Sequence, residues 1–286
     1  MKITQKIAIY FIRIKLKVLS FFSRKKTAAV AFRIFCTNFA PRIKTTPAIF
    51  KTMELLSFTS NGLKIAGYRW AAPQKKKILI LHGFSSAAYK FSSYAEAFIR
   101  EGYEVVAFDA PAHGNSEGKT VNAAIYAAMI KKGIELYGPF DGFIAHSFGA
   151  LALSLALDET PHKADTKIVF IAPATETTTA IDTAMSVLGL KDAAVRSEID
   201  KIIFNISGKE TSWFSMRRIM HTIQAKILWI HDEDDDITPL SDAIKIKEDN
   251  HSYIEFFITK GLGHRRIYHD AVVKKRVMDF ITEGNR

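Results

Sequence analysis

The chain has 286 residues, of which 48% are hydrophobic and 24% are charged, and its formal net charge is +11. This length and composition suit a globular protein with one large α/β domain or two small ones. The single cysteine, Cys36, excludes an intramolecular disulfide framework, and the nine histidines form no Cys/His pairs at the spacing of zinc ligands. We therefore expect a protein of a reducing compartment, the cytoplasm, with no metal site.

The positive charge is concentrated at the N-terminus. Residues 1–53 hold twelve Lys or Arg and no acidic residue, whereas the rest of the chain holds 28 basic and 29 acidic side chains. A nucleic-acid-binding protein usually carries its basic patch on the folded domain, with aromatic residues among the charges. Because residues 54–286 are close to neutral, we expect no nucleic-acid partner.

The first predicted element is a helix from Met1 to about Phe22. Its charges at Arg13, Lys15 and Lys17 interrupt the apolar residues too often for a membrane span. Five basic residues form one stripe along the helix: Lys2, Lys6, Arg13, Lys17 and Arg24. Apolar residues line the neighbouring face: Ile3, Ile7, Phe11, Ile14, Val18 and Phe22. The pattern predicts peripheral contact of residues 1–26 with the anionic inner face of a membrane. A helix packed on the body of the protein and a disordered basic tail are the alternatives.

After a connector that continues to residue 53, the pattern becomes regular. Asn61-Gly62 separates two runs typical of strands and predicts a tight hairpin. Farther along, apolar runs of strand length alternate with amphipathic helical segments, as in a largely parallel sheet covered by helices on both faces. The predicted strands are Leu55–Thr59, Leu63–Trp70, Lys77–Leu81, Tyr103–Phe108, Asp141–His146, Lys167–Ile171, Lys226–Ile230 and Ile254–Ile258, and the predicted helices are Tyr89–Arg100, Asn122–Leu136, Leu151–Leu157, Ser241–Glu248 and Ile267–Ile281.

This alternation is interrupted between about residues 175 and 223. Only helical segments occur there, at Thr179–Leu188 and Ala194–Ile206. An insert of helices between two strands predicts a small cap over the carboxyl edge of the sheet, where ligands bind in open α/β sheets. Its last part contains an apolar group that is expected to bind substrate, with packing of the cap as the alternative: Trp213, Phe214, Met216 and Met220.

Ser147 lies at a predicted turn between a strand and a helix. The preceding strand, Asp141–His146, is short and apolar, and a helical pattern begins directly after the serine. Such a turn can hold a serine in a strained conformation with its hydroxyl exposed, provided that small residues stand two positions away on either side. Ala145 and Gly149 meet this requirement. An ordinary N-cap serine gives the same local pattern, so the motif is weak by itself.

An acidic cluster and a histidine follow two later strands. The segment from His231 to Pro239 follows the Lys226–Ile230 strand, and Gly263-His264 follows the Ile254–Ile258 strand. A serine hydroxyl becomes a nucleophile when an imidazole accepts its proton, and the imidazole needs a carboxylate to fix its tautomer. The order of these residues along the chain therefore predicts a triad of serine, acid and histidine.

Together these stretches resemble the α/β-hydrolase fold superfamily, over roughly Glu54 to Glu283. The resemblance implies an α/β fold with a mostly parallel central sheet, flanking helices and a short helical cap insert. In that superfamily the pattern His-Gly-x-x-Asp-x-x-hydrophobic-Pro places the acid. Alignment on His231 and Pro239 assigns it to Asp235, with Ser147 as nucleophile and His264 as base.

Two positions depart from the superfamily pattern. Asp232 stands where a glycine is usual, and Thr238 stands where an apolar residue is usual. The other acidic residues around Asp235 are expected to be solvated carboxylates of a loop. They are Asp232, Glu233, Asp234 and Asp236.

The segment His82-Gly-Phe84 resembles the oxyanion loop of the same superfamily. The resemblance implies that the backbone N–H groups of Phe84 and Phe148 bind the negative oxygen of a tetrahedral intermediate. It also implies that no cofactor is needed. The two phenylalanine side chains are expected to wall the pocket, with core packing as the alternative.

We expect the protein to hydrolyse a small-molecule carboxylic ester through an acyl-enzyme on Ser147. Thioesters, amides, lactones and C–C bonds stay open, because the same triad and oxyanion hole serve all of these reactions. A receptor or binding protein without hydrolytic activity on the same scaffold is the alternative from another class.

Overall fold

The computed structural model describes residues 3–40 and 47–283 and, for residues 3–6, the backbone only. Expectations on Met1, Lys2 and residues 41–46 of the connector fall outside this range. The described helices are α1 (Ile3–Phe22), α2 (Arg24–Cys36), α3 (Ser92–Arg100), α4 (Ala123–Tyr137), α5 (Phe148–Asp158), α6 (Thr177–Val187), α7 (Ala193–Ser207), α8 (Met216–Met220), α9 (Leu240–Glu248), α10 (Gly263–Arg266) and α11 (Ala271–Thr282). The strands are β1 (Glu54–Ser60), β2 (Leu63–Trp70), β3 (Lys77–Leu81), β4 (Glu104–Phe108), β5 (Gly142–His146), β6 (Lys167–Ile171), β7 (Lys226–Asp232) and β8 (Ile254–Thr259).

The strands form one eight-stranded sheet in the order β1-β2-β4-β3-β5-β6-β7-β8. β2 pairs antiparallel with both β1 and β4, and all of the other pairs are parallel. The predicted mostly parallel sheet is therefore confirmed. Since β3 to β8 run in one direction, the loops that leave their carboxyl ends meet at one edge of the sheet.

The hairpin between β1 and β2 turns at Asn61 and Gly62, as the sequence predicts. Their φ angles are 49° and 72°, and a two-residue turn with positive φ at both positions follows the right-handed twist of the flanking strands. Asparagine and glycine adopt this conformation at the lowest cost, and the turn fixes the register from Ser60 opposite Leu63 outward.

Helices cover both faces of the sheet. On one face, Ile78 and Val105 pack with Phe98 of α3 and Val277 of α11. On the other face, α5 packs against α4 and α8, and α8 packs against α9. The central strands are largely apolar because both of their faces are buried.

The closing helix begins later than the sequence predicts. Helix α11 starts at Ala271 because the Asp270 carboxylate accepts hydrogen bonds from the N–H groups of Val272 and Val273, 2.9 and 3.0 Å away. An aspartate in this position satisfies donors that have no partner inside the helix and marks its first turn. The preceding residues form the short helix α10, which contains His264, and a 3-10 turn.

The described chain falls into two compact units. The first comprises Met1–Thr37 and Glu176–Ser215, and the second comprises Asn38–Thr175 and Met216–Arg286. Within the first unit, α2 packs against α6 and α7 of the insert, and α1 packs against α2. The sequence-based alternative of a disordered basic tail is therefore wrong for the described part of the N-terminal segment.

Helix α1 presents apolar residues in two directions. Leu16 is fully buried, whereas Phe11, Val18 and Phe22 are 64%, 55% and 76% exposed. The Arg13 Nε–H donates to the carbonyl oxygen of Val187 at 2.9 Å and ties the helix to the insert. No helix among the residues that the structure describes combines the length and the apolarity needed to cross a membrane.

Candidate active site

Ser147 occupies a strained turn between β5 and α5. Its φ and ψ are 54° and −122°, a conformation that a residue with a side chain rarely adopts. Four backbone hydrogen bonds hold it there: its N–H donates to Ile171, and its carbonyl oxygen accepts from Ala150, Leu151 and Ala174. The strand and the helix thus present the serine at the carboxyl edge of the sheet.

Close backbone packing surrounds the serine. A Cβ atom at Gly149 would lie 2.4 Å from the carbonyl oxygen of His82, and one at Gly83 would lie 2.9 Å from Cβ of Ser147. Neither position has room for a side chain. Ala145 is fully buried, so its methyl group is accommodated where the superfamily more often has glycine.

The three residues predicted to form a triad lie in hydrogen-bond contact. His264 Nε2 is 2.9 Å from Ser147 Oγ, and His264 Nδ1 is 2.8 Å from Asp235 Oδ2. An ionised carboxylate only accepts hydrogen bonds, so Nδ1 carries the proton and Nε2 of the neutral ring is the acceptor for the serine hydroxyl. The structure brings together residues that follow β5, β7 and β8, and each of them is less than 10% exposed.

Two backbone donors flank the serine. Neither the Phe84 N–H nor the Phe148 N–H has a hydrogen-bond partner in the part of the chain that the structure describes. Their rings lie edge to face with centroids 5.8 Å apart, and both side chains are half-buried. Because Gly83 abuts Ser147, the loop carrying Phe84 lies beside the serine, and the arrangement suits an oxyanion site.

The chain is similar to one family model and to several solved structures. A family model described as serine aminopeptidase, S33 matches residues 72–199, a range that includes Ser147 and ends before Asp235 and His264. No curated protein sequence matches the chain.

Solved structures match over most of the chain. An esterase of Pyrococcus furiosus is 20% identical, with a TM-score of 0.65 over 86% of this chain and 97% of that one. A thioesterase domain from the curacin biosynthetic pathway is 16% identical, with a TM-score of 0.58 over 80% and 98%. An α/β hydrolase from a Penicillium species is 18% identical, with a TM-score of 0.61 over 80% and 98%.

The chain has the α/β-hydrolase fold. At these identities the solved structures establish the fold, and the sheet order and the short helical insert agree with it. A fold of this kind supports many reactions, and the residues around Ser147 determine which one occurs.

The Asp235 carboxylate is buried and is held by several donors. Oδ1 accepts hydrogen bonds from the N–H groups of Ile237 and Thr238, at 2.9 and 2.8 Å, and Oδ2 accepts from the Thr238 hydroxyl at 2.9 Å. Burial alone raises the pKa of a carboxyl group, but these bonds and the His264 ring outweigh it and lower the pKa of Asp235. Asp235 is therefore ionised at neutral pH and can stabilise an imidazolium at His264.

Asp232 corrects one sequence-based expectation. It was expected to be a solvated loop carboxylate, yet it is fully buried. Its oxygens accept hydrogen bonds from the N–H groups of Leu262 and Gly263 and from the Thr259 hydroxyl, at 3.1, 2.8 and 2.7 Å. Asp232 thus ties the loop before His264 to the end of β7. Glu233, Asp234 and Asp236 are exposed, as expected.

Asp232 and Thr238 are the residues near the triad whose contribution the sequence did not predict. Both occupy positions where this chain departs from the superfamily pattern, so the departures themselves were the available signal. The Thr238 hydroxyl lies 2.9 Å from Asp235 Oδ2 and 3.0 Å from His264 Nδ1. An apolar side chain in its place would leave the acid and the histidine without this contact.

The loop after β4 supports the oxyanion loop. His113 Nε2 accepts a hydrogen bond from the Ser85 N–H at 3.0 Å, and Asp109 Oδ1 accepts one from the Ala88 N–H at 2.9 Å. Asp109 also accepts from the Tyr68 hydroxyl at 2.7 Å. Burial lowers the pKa of His113 to about 4, so its ring stays neutral and can accept this bond at neutral pH.

The four residues expected to bind substrate do not share one environment. Met216 and Met220 are fully buried in α8, which packs against α5 and α9. The Met220 carbonyl oxygen also accepts a hydrogen bond from Tyr253, which lies before β8 at the amino edge of the sheet. The two methionines are therefore core residues, which corrects the prediction for them. Trp213 is half-buried beside Phe214 at a ring distance of 5.1 Å, and for this pair substrate binding stays a prediction.

Proposed function

We propose that this protein is a serine hydrolase that cleaves carboxylic esters through an acyl-enzyme on Ser147. One observation carries the proposal: the chain of contacts from Ser147 Oγ to His264 Nε2 at 2.9 Å and from His264 Nδ1 to Asp235 Oδ2 at 2.8 Å. Few buried arrangements of a serine, a neutral imidazole and an ionised carboxylate serve any purpose other than activation of the hydroxyl. A receptor without hydrolytic activity would not require this arrangement.

Each residue then has a definite task in the acylation half of the reaction. The Ser147 oxygen attacks the ester carbonyl carbon while its proton passes to His264 Nε2. The carbonyl oxygen becomes negative and is bound by the N–H groups of Phe84 and Phe148. His264 donates the proton from Nε2 to the departing alkoxide, which leaves as the alcohol, and the acyl group stays on Ser147.

Deacylation repeats these steps with water. His264 accepts a proton from a water molecule as its oxygen attacks the acyl carbon, and the second tetrahedral intermediate uses the same two N–H groups. When that intermediate collapses, His264 returns the proton to the Ser147 oxygen and the carboxylic acid leaves. Asp235 stays ionised throughout and stabilises the imidazolium in both halves.

The test is turnover of p-nitrophenyl butyrate by full-length protein. We expect hydrolysis by the parent and a loss of at least about a thousandfold in Ser147→Ala. Ser154→Ala is the matched control, because Ser154 is a buried serine of α5 whose hydroxyl donates to the Leu151 carbonyl oxygen at 2.8 Å. Turnover by Ser147→Ala close to that of the parent would exclude the proposal.

A substrate series separates esters from the other bonds that this machinery can cleave. Butyryl oxyester, thioester and anilide substrates share the acyl group, so the ratio of their kcat/KM values reports the leaving-group preference. We propose that the oxyester is preferred.

A second series from acetate to octanoate tests acyl binding by Trp213 and Phe214, since each buried methylene contributes about 0.8 kcal/mol. A preference for long chains that persists in Trp213→Ala would remove that tryptophan from the acyl site.

We also propose that residues 1–26 bind the anionic inner face of the cytoplasmic membrane and make this a peripheral cytoplasmic enzyme. The support is the outward face of α1, where large apolar side chains are exposed: Ile7, Tyr10, Phe11, Ile14, Val18, Phe21 and Phe22. Exposed basic residues lie around this face at Lys15, Lys17, Lys25 and Lys26. Apolar insertion and roughly 1 kcal/mol from each basic residue near an anionic surface act together at such a helix.

A further inference from the structure

A cluster of two histidines and an aspartate lies away from the triad. His221, Asp249 and His251 each offer one potential ligand atom within 4.8 Å of the others. His221 directly follows α8, Asp249 directly follows α9, and His251 stands three residues before β8. The three therefore lie where β7 and β8 begin, whereas Asp235 and His264 follow the ends of the same strands.

Tyr253 offers an oxygen atom beside the His251 ring. The Tyr253 hydroxyl contacts the carbonyl oxygen of Met220 and lies 3.3 Å from His251 Nδ1. A proton on Nδ1 can be donated to that hydroxyl oxygen. A neutral His251 then carries its lone pair on Nε2. This nitrogen is covered from solvent and has no hydrogen-bond partner among the described residues.

A histidine held in this way has the features of a metal ligand. Ligating histidines commonly donate their second N–H to a neighbouring oxygen, which fixes the ring and leaves the other nitrogen free for the ion. A buried nitrogen lone pair without a partner is costly, and a bound cation would relieve that cost.

The Asp249 carboxylate is fixed by Arg217. The guanidinium donates two hydrogen bonds, each 2.7 Å long, one to each carboxylate oxygen. Each carboxylate oxygen has a second lone pair, so Asp249 can bind an ion while Arg217 holds it in place.

We propose that His221, Asp249 and His251 bind a divalent transition-metal ion of the zinc class. Two imidazoles and one carboxylate suit Zn²⁺ or Co²⁺, with water as the fourth ligand. Ligand atoms about 2.1 Å from a tetrahedral ion lie roughly 3.4 Å apart, so side chains have to move by about 1 Å. His221 is exposed and can turn to meet this requirement.

The ion would link the end of α8 to the loop between α9 and β8. It has no part in the ester chemistry, because its ligands precede the strands whose far ends carry Asp235 and His264. The site stabilises the fold by binding the folded chain and not the unfolded one. The sequence predicts no metal site, because His221 is distant along the chain from the other two residues.

Metal-free full-length protein titrated with Zn²⁺ or Co²⁺ tests the proposal. We expect one ion per chain, visible absorption of four-coordinate Co²⁺, and a higher Tm with Zn²⁺. His221→Ala and His251→Ala should each weaken binding at least tenfold, and His162→Ala, a histidine outside the cluster, should not. His221→Ala removes an exposed side chain and is expected to leave the fold intact.

Two further readouts make the test specific. Tyr253→Phe keeps the ring but removes the hydroxyl that orients His251, and binding should weaken several-fold. Hydrolysis of p-nitrophenyl butyrate should be the same in EDTA as in Zn²⁺, so a failure of this proposal is distinguishable from a failure of the triad. A dissociation constant that is the same in the parent, His221→Ala and His251→Ala would overturn the proposal.

Discussion

The Asp232 carboxylate accepts a hydrogen bond from the backbone N–H of Gly263, the residue before His264, at 2.8 Å. The carboxylate accepts a second hydrogen bond from the Leu262 N–H, at 3.1 Å. We call this pair of bonds the clamp, because together they hold the turn that contains His264. The Asp232 carboxylate is fully buried, so its loss cannot be made good by solvent without local rearrangement.

Asp232→Ala should therefore lower both stability and activity. Removing the carboxylate leaves the half-buried N–H donors of Leu262 and Gly263 without this acceptor, at a cost of about 1–3 kcal/mol in the free energy of unfolding. The His264 turn should also become mobile, and kcat should fall by roughly ten- to a hundredfold. Urea denaturation and ester kinetics measure the two effects, with the exposed Asp236→Ala as control. Equal behaviour of the two variants would refute the clamp.

Asp235→Asn tests the acid of the triad. Asparagine keeps the shape but offers His264 Nδ1 an N–H donor or a weaker acceptor, so the ring loses its preferred tautomer and the stabilisation of its cation. We expect kcat to fall by about four orders of magnitude, as in other serine triads. Asp234→Asn and Asp236→Asn change exposed residues and should stay within a fewfold of the parent. Comparable losses in all three variants would mean that Asp235 is not the orienting acid.

His146 makes stability depend on pH. Burial, followed by the nearby His264, lowers the pKa of His146 to about 3, whereas an unfolded histidine has a pKa of about 6.5. Between these values the unfolded chain binds a proton that the folded chain does not. The contribution of His146 to the free energy of unfolding therefore falls as the pH decreases below about 6.5, by about 1.4 kcal/mol per pH unit.

Chemical denaturation between pH 6 and 4.5 measures this slope. Most unfolded carboxylates are still ionised in this window, so histidines dominate the change. His146→Asn should flatten the slope by about 1.4 kcal/mol per pH unit, whatever its effect on the absolute stability. The same measurement on His162→Asn, at a half-buried surface position, is the matched control. A slope that does not change in His146→Asn would contradict the assignment.

Flotation with lipid vesicles tests the N-terminal helix. The parent should float with phosphatidylglycerol vesicles, float less with phosphatidylcholine vesicles, and be released by high salt. Phe11→Ser, Ile14→Ser and Val18→Ser combined change exposed residues only, so the fold should survive while flotation is lost. Val272→Ser, at a 65% exposed apolar residue of α11, is the control. Equally weak flotation with both lipids would leave α1 as a helix that only packs against α2.

Much of the sheet could be predicted from local patterns. The bounds of β2, β3 and β6 agree with the predicted runs. For β3 and β6 the reason is that central strands buried on both faces are largely apolar. The order of Ser147, Asp235 and His264 along the chain was also visible, since parallel strands bring their carboxyl ends to one edge. Their mutual distances required the folded structure.

Other features depend on contacts between distant segments. The insert and the N-terminal helices form one unit through the packing of α2 on α6 and α7, and the Arg24 Nε–H donates to Asp192 across 168 residues. No local periodicity encodes such pairings. Met216 and Met220 show the same limit, because an apolar cluster in a sequence does not distinguish a substrate pocket from a core.

The most direct test of the central claim is covalent labelling of Ser147 by a fluorophosphonate. The serine oxygen attacks phosphorus and fluoride leaves, so the intact mass rises by one phosphonyl group per chain, and peptide mapping should place it on Ser147. The Ser147→Ala variant should stay unlabelled, and Ser154→Ala should react like the parent. Failure of the parent to react, or equal labelling of Ser147→Ala, would contradict a nucleophilic role for Ser147.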